Sequence, residues 1–102
     1  MLARIMLCLL AGASLSQVAM AQMPDTAAGA RRGAICLSCH GDNGHAKVPG
    51  YPNLAGQDRQ YLEKQLHAFR DGQRKDPTMN AMASPLTDPD ITNIAAYFSG
   101  QK

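Results

Sequence analysis

Tryptophan is missing from this chain, and Phe69, Phe98 and three tyrosines are its only aromatic residues. So little aromatic bulk makes a thin core, because these side chains bury the largest areas. Cysteine is scarce as well, with Cys8, Cys36 and Cys39 alone. Three thiols exclude a disulfide framework, and a Cys36–Cys39 bridge would close too small a loop to hold much together. Charge of one sign is barely in excess. Ten Lys and Arg stand against eight Asp and Glu, which lacks the basic field of a nucleic-acid binder. No segment alternates apolar and polar residues as a half-buried strand does. The compact apolar run, residues 5–10, is too short to span a bilayer.

That run follows Arg4 and precedes small residues ending in Ala19-Met20-Ala21. A basic start, a short apolar stretch and an A-x-A ending form a secretory leader. The expected cut falls after Ala21, so residues 1–21 are a signal peptide and residues 22–102 the mature domain. An uncleaved anchor is the competing reading. Cys8 is discarded with the leader, which leaves two thiols. A mature chain of this length buries only a modest core, and small domains commonly need a staple such as a cofactor.

Helical signals dominate the mature chain. Asp25 or Thr26 can cap a first helix that runs through Ile35. Gly29 and Gly33 lie four apart on one face, marking either close approach of another backbone or a tolerated weakness. Gly41 to Gly56 is rich in turn residues and reads as a functional loop. Asp58 opens a second helix with Tyr61, Leu62, Leu66 and Phe69 on its apolar stripe, and Gly72 ends it. Glu63, Lys64 and Arg70 read as solvated surface. Gln73 to Leu86, with Pro77 and Pro85, reads as a second loop carrying Met79 and Met82. Thr87 and Asp90 outline a capping box with Pro89 in the first turn. Ile91, Ile94, Ala95 and Phe98 follow as an apolar stripe, and Gly100 closes the helix.

What is present in place of the missing bulk is Cys36-Leu37-Ser38-Cys39-His40. C-x-x-C-H is the attachment pattern for c-type haem. On a helix, positions i, i+3 and i+4 share a face, so both thiols can add to the vinyl groups of one haem while the imidazole reaches iron. The pattern occurs once, so the chain is expected to carry one haem c, bound covalently through Cys36 and Cys39. Opposite His40, a thioether gives a six-coordinate iron suited to electron transfer. Met79 and Met82 are the candidates, each of which would otherwise be a core filler. Met23 is too near the mature start. His45 and His67 are weaker rivals. A zinc site built from C-x-x-C and further histidines lacks a second paired cluster, and a thioredoxin-like pair lacks a βαβ setting. Without its haem the chain is expected to be largely unfolded.

These residues resemble the class I c-type cytochromes, and within them the small bacterial cytochrome c4/c5 type. The resemblance rests on Cys36 to Gly41, on Tyr51-Pro52-Asn53-Leu54-Ala55-Gly56-Gln57, on Tyr61 with Lys64-Gln65-Leu66, and on Leu86 to Asp90 leading into Ala95-Ala96-Tyr97-Phe98. It implies an all-α class I cytochrome c fold, with three to five helices wrapped around one covalently attached haem. It implies that the Pro52 carbonyl accepts a hydrogen bond from the His40 ring and that Met79, rather than Met82, is the second axial ligand. It implies that first and last helices cross with Gly29 near Tyr97 or Phe98. Proteins of the c4 type are usually tandem two-haem molecules, and this chain has one attachment motif. The resulting expectation is a periplasmic one-electron carrier, not an enzyme. Its partners would be redox proteins, a donor dehydrogenase and an acceptor oxidase or reductase, with membranes met only through partner complexes. Two alternatives stand beside it: the haem subunit of a flavocytochrome-type dehydrogenase, for example sulfide-oxidising, and a peroxidase-like haem with an open iron site.

Overall fold

The computed structural model describes residues 23–102. The expected leader, its cut and Cys8 lie outside the described residues. Among these residues no strand occurs, and the fold is all-α. Helix α1 (Thr26–Arg32) passes through a 3-10 turn (Gly33–Cys36) into the short α2 (Leu37–His40). A loop with one further 3-10 turn (Asp42–Gly44) leads to α3 (Arg59–Arg70). Helices α4 (Pro77–Ala83) and α5 (Asp88–Ser99) complete the order.

Side chains start the helices as their sequence suggests. Asp25 accepts the Ala28 N–H at 2.9 Å and Asp58 the Tyr61 N–H at 2.8 Å, each satisfying an orphan donor of the first turn. Thr87 and Asp90 close a full capping box: the Asp90 N–H donates to the Thr87 hydroxyl at 3.2 Å, and the Thr87 N–H donates back to the Asp90 carboxylate at 2.9 Å.

Helix α5 is the centre of the molecule. It packs against α1 on one side and α3 on the other, and α4 packs on α3. The core gathers Leu62 and Phe69 of α3, Ala83 of α4, Leu86, and Ile91, Ile94, Ala95 and Phe98 of α5. Gly29 is where α1 meets α5. A Cβ there would overlap the carbonyl of Asn93, so only glycine allows the backbones to approach. The expected neighbours, Tyr97 or Phe98, are displaced by one turn. Gly29 faces Asn93 and Ile94, and it is Gly33 that lies under Phe98.

Three other expectations are corrected. Gln73 to Leu86 is not a loop throughout. Asp76 accepts the Met79 N–H at 3.0 Å, Pro77 occupies the first helical position, and α4 forms between the two prolines. Tyr61 is 49% exposed and leaves the apolar stripe of α3 to Leu62, Phe69 and the half-buried Leu66. Arg70 is no solvated bystander. It donates to the Leu86 carbonyl at 3.3 Å and to Asp88 at 2.7 Å, tying the end of α3 to the start of α5.

Candidate haem site

Cys36 ends the 3-10 turn, and Cys39 and His40 lie on the α2 turn that continues it. The helical backbone at Cys36 keeps the three on one face. Both thiols are free and half-buried, and Cys36 also packs against the core. Burial pushes the Cys36 thiol up from its ordinary range, against a backbone hydrogen bond at Cys36 and the charge of Arg32, with Cys39 adding slightly to the rise. In the haem-free chain Cys36 is therefore a protonated thiol at neutral pH.

His40 is the buried polar residue of the core region, 6% exposed. Its Nδ1 lies 2.9 Å from the Pro52 carbonyl. A carbonyl only accepts, so Nδ1 carries the proton and the lone pair of the neutral ring sits on Nε2. The ring also meets Tyr51 edge-on, with centroids 6.3 Å apart.

The chain between His40 and Pro52 is held to shape. Gly41, at φ +82°, turns it away from α2, and a Cβ there would overlap the His45 carbonyl. The Tyr97 hydroxyl donates to Asn43 Oδ1 at 2.9 Å, linking the turn to α5. Asn53, next to Pro52, accepts the Ala46 N–H at 2.7 Å.

Met79 is half-buried and packs against the core cluster, whereas Met82 is 42% exposed. The rival histidines are engaged elsewhere. His45 Nε2 lies 2.6 Å from the Lys102 carbonyl, and His67 Nδ1 accepts from Arg70 at 3.1 Å, with Asp88 at 3.9 Å. Among the described residues no group of three or more His, Cys, Asp and Glu side chains is arranged to hold a metal ion.

The cytochrome c family profile matches residues 27–102. This chain belongs to the cytochrome c family. Within it, the cytochrome is of the class I, c4 type. It is 48% identical over 81 residues to cytochrome c-554(548) of Halomonas halodenitrificans, covering 76% of this chain and 98% of that protein. It is 40% identical over 94 residues to the thiosulfate dehydrogenase electron acceptor of Thiomonas intermedia, covering 91% of this chain and 43% of that protein. The structure of reduced recombinant cytochrome c4 from Pseudomonas stutzeri superposes with a TM-score of 0.74 at 42% identity, over 78% of this chain and 47% of that one. The cytochrome thus spans about half or less of the length of the cytochrome c4 and acceptor relatives it matches. The all-α expectation and the family resemblance both hold.

Cytochrome c domains bind haem c covalently, and the residues here fit that group. Two unpaired thiols and a buried imidazole with its Nε2 lone pair free share one helical face. Ile35, Val48, Tyr51, Tyr61 and Met82 remain exposed, large apolar side chains that the chain's own fold leaves uncovered.

Proposed function

We propose that this cytochrome is a periplasmic one-electron carrier holding a single haem c. It is an electron carrier and not an enzyme. Cys36 and Cys39 would hold the haem through thioether sulfurs, and His40 Nε2 and Met79 Sδ would ligate its iron. The observation that carries the reading is the 2.9 Å bond from His40 Nδ1 to the Pro52 carbonyl, because it fixes the ring and its tautomer for metal ligation by Nε2. When bound, haem supplies an iron that takes up and releases one electron, and a thioether ligand raises its potential. The polypeptide's part would be to keep the His40 and Met79 side chains in place for the iron.

The leader pattern of residues 1–21 supports export, with the mature domain starting near Gln22. Haem attachment through C-x-x-C-H agrees with that location. No helix among the described residues is long and apolar enough to cross a membrane. The single motif in the sequence supports a count of one haem for this chain.

The ferric optical spectrum tests the ligand set. Met79→Ala is expected to lose the sulfur-to-iron charge-transfer band, and Met82→Ala to keep it. Loss in Met82→Ala alone would make Met82 the ligand, and absence of the band in the parent protein would favour the peroxidase-like alternative.

A second reading is favoured by the acceptor relative from Thiomonas intermedia: the cytochrome receives electrons as the partner of a dehydrogenase. That relative adds a thiosulfate-oxidising partner to the search, beside the flavin enzyme that the sequence left as an alternative. Purification from the native host would decide it, since a free carrier elutes without any dehydrogenase.

A further inference from the structure

Asn80 follows Met79 on α4, and its side chain makes three hydrogen bonds. Nδ2 donates to the Phe69 carbonyl and to the Arg74 carbonyl, both at 2.8 Å, and Oδ1 accepts the Asp76 N–H at 2.9 Å. Phe69 stands in the last turn of α3, where carbonyls have no partner within their own helix. Arg74 and Asp76 belong to the connection that follows. One amide therefore joins the end of α3, the connection and α4. Its orientation is determined, because a reversed amide would set its oxygen against two carbonyls.

Helix α4 depends on such a pin. It has seven residues, far below the length at which a helix stands alone in water. Its other anchors include the Asp76 cap, which accepts the Met79 N–H at 3.0 Å, the buried Ala83 and the packing of Met79 against the core. Neighbouring helical residues point about 100° apart. Asn80 can therefore hold the helix to α3 while Met79 addresses a different side. A rotation of α4 would carry the Met79 sulfur with it.

We propose that Asn80 is a positioning residue for the Met79 thioether: by bridging α3, the connection and α4 it sets where that sulfur stands relative to the haem iron. The inference rests on Met79 being the axial ligand. Loosening α4 raises the fraction of time the sulfur is off the iron. An external ligand measures that fraction, because it binds only when the position is vacated.

The experiment is an optical titration of the ferric holoprotein with imidazole, for the parent, Asn80→Ala, Asn80→Ser, Met79→Ala and Asn93→Ala. Asn93→Ala removes a hydrogen bond of similar kind, from the Asp25 N–H at 2.9 Å, at the α1–α5 crossing instead of α4. Asn80→Ala is expected to raise the apparent imidazole affinity about tenfold, the equivalent of about one net hydrogen bond. Asn80→Ser, too short to reach both carbonyls, should act in the same direction and serves if the alanine variant does not fold. Asn93→Ala should lower the melting temperature yet leave the imidazole affinity at the parent value. Parent-like affinity in both Asn80 variants, or an equal rise in Asn93→Ala, overturns the proposal. If instead Met79→Ala keeps its charge-transfer band, it is the ligand assignment that fails, and the Asn80 inference falls with it.

Discussion

Gly29 and Gly50 separate two reasons for using glycine. At Gly29 the neighbour is the Asn93 backbone, which cannot swing aside as a side-chain tip can. At Gly50 nothing lies within 4 Å, and only the backbone angle, φ +95°, resists a side chain. Gly29→Ala must push α1 from α5 and is expected to cost about 1–3 kcal/mol, the range for overpacking. Gly50→Ala should cost about 1 kcal/mol, the penalty of a left-handed backbone for an L-residue. Chemical denaturation of the two holoproteins checks the order, and equal losses would show that the helix crossing tolerates separation. Close approach at Gly29 was one of two readings open from sequence, and its partner was not legible, since a spacing of four gives a face and no register along the opposing helix. The Pro52 carbonyl was likewise reached through family resemblance, because no chemistry of proline itself points to a histidine twelve residues away.

At the scale of elements, α5 illustrates how a capped start links stability to pH. The Thr87 N–H that Asp90 accepts holds its carboxyl below the ordinary aspartate range. Burial opposes this, and the Thr87 hydroxyl and Arg32 reinforce it. A lowered folded value means that the unfolded chain binds more protons through this window. The stabilisation is then fully present above the ordinary aspartate value and is lost as pH falls through the lower folded one. Asp90→Ala should melt below the parent at neutral pH, and the gap should close in acid. A gap that stays constant with pH would mean the box contributes through packing alone. Thr87→Ala should cost about 1 kcal/mol at neutral pH.

The starts of α1, α3 and α5 were readable for the same local reason: an Asp or Thr cap followed by an apolar stripe. Helix α4 carried that cap signal too, in Asp76 and Pro77, but two prolines and a lack of bulky apolar residues made the segment read as loop. Its placement comes from Asn80, whose partners lie six and eleven residues away. No local pattern encodes such a bridge. Arg70 was misread for a related reason, since a charged residue on a helix surface looks solvated until a neighbouring element supplies carbonyl and carboxylate partners.

For the molecule as a whole, the question is whether the polypeptide can hold this arrangement alone. Its core is short of bulk: Phe98 and Ile91 are the largest fully buried side chains among the described residues. Ile35, Val48, Tyr51 and Tyr61 meanwhile remain exposed, apolar surface that the polypeptide alone does not bury. On the proposed ligation, removing the covalent tether would also remove the linkage from His40 across to Met79. Helices α2 and α4, at four and seven residues, have no independent stability to fall back on. A Cys36→Ala/Cys39→Ala protein free of haem is therefore expected to lose most of its helical circular dichroism, while the holoprotein unfolds cooperatively at a much higher temperature. Near-native helix content in the haem-free variant would mean that the α1–α5 and α3–α5 packing suffices, and that haem occupies a preformed scaffold.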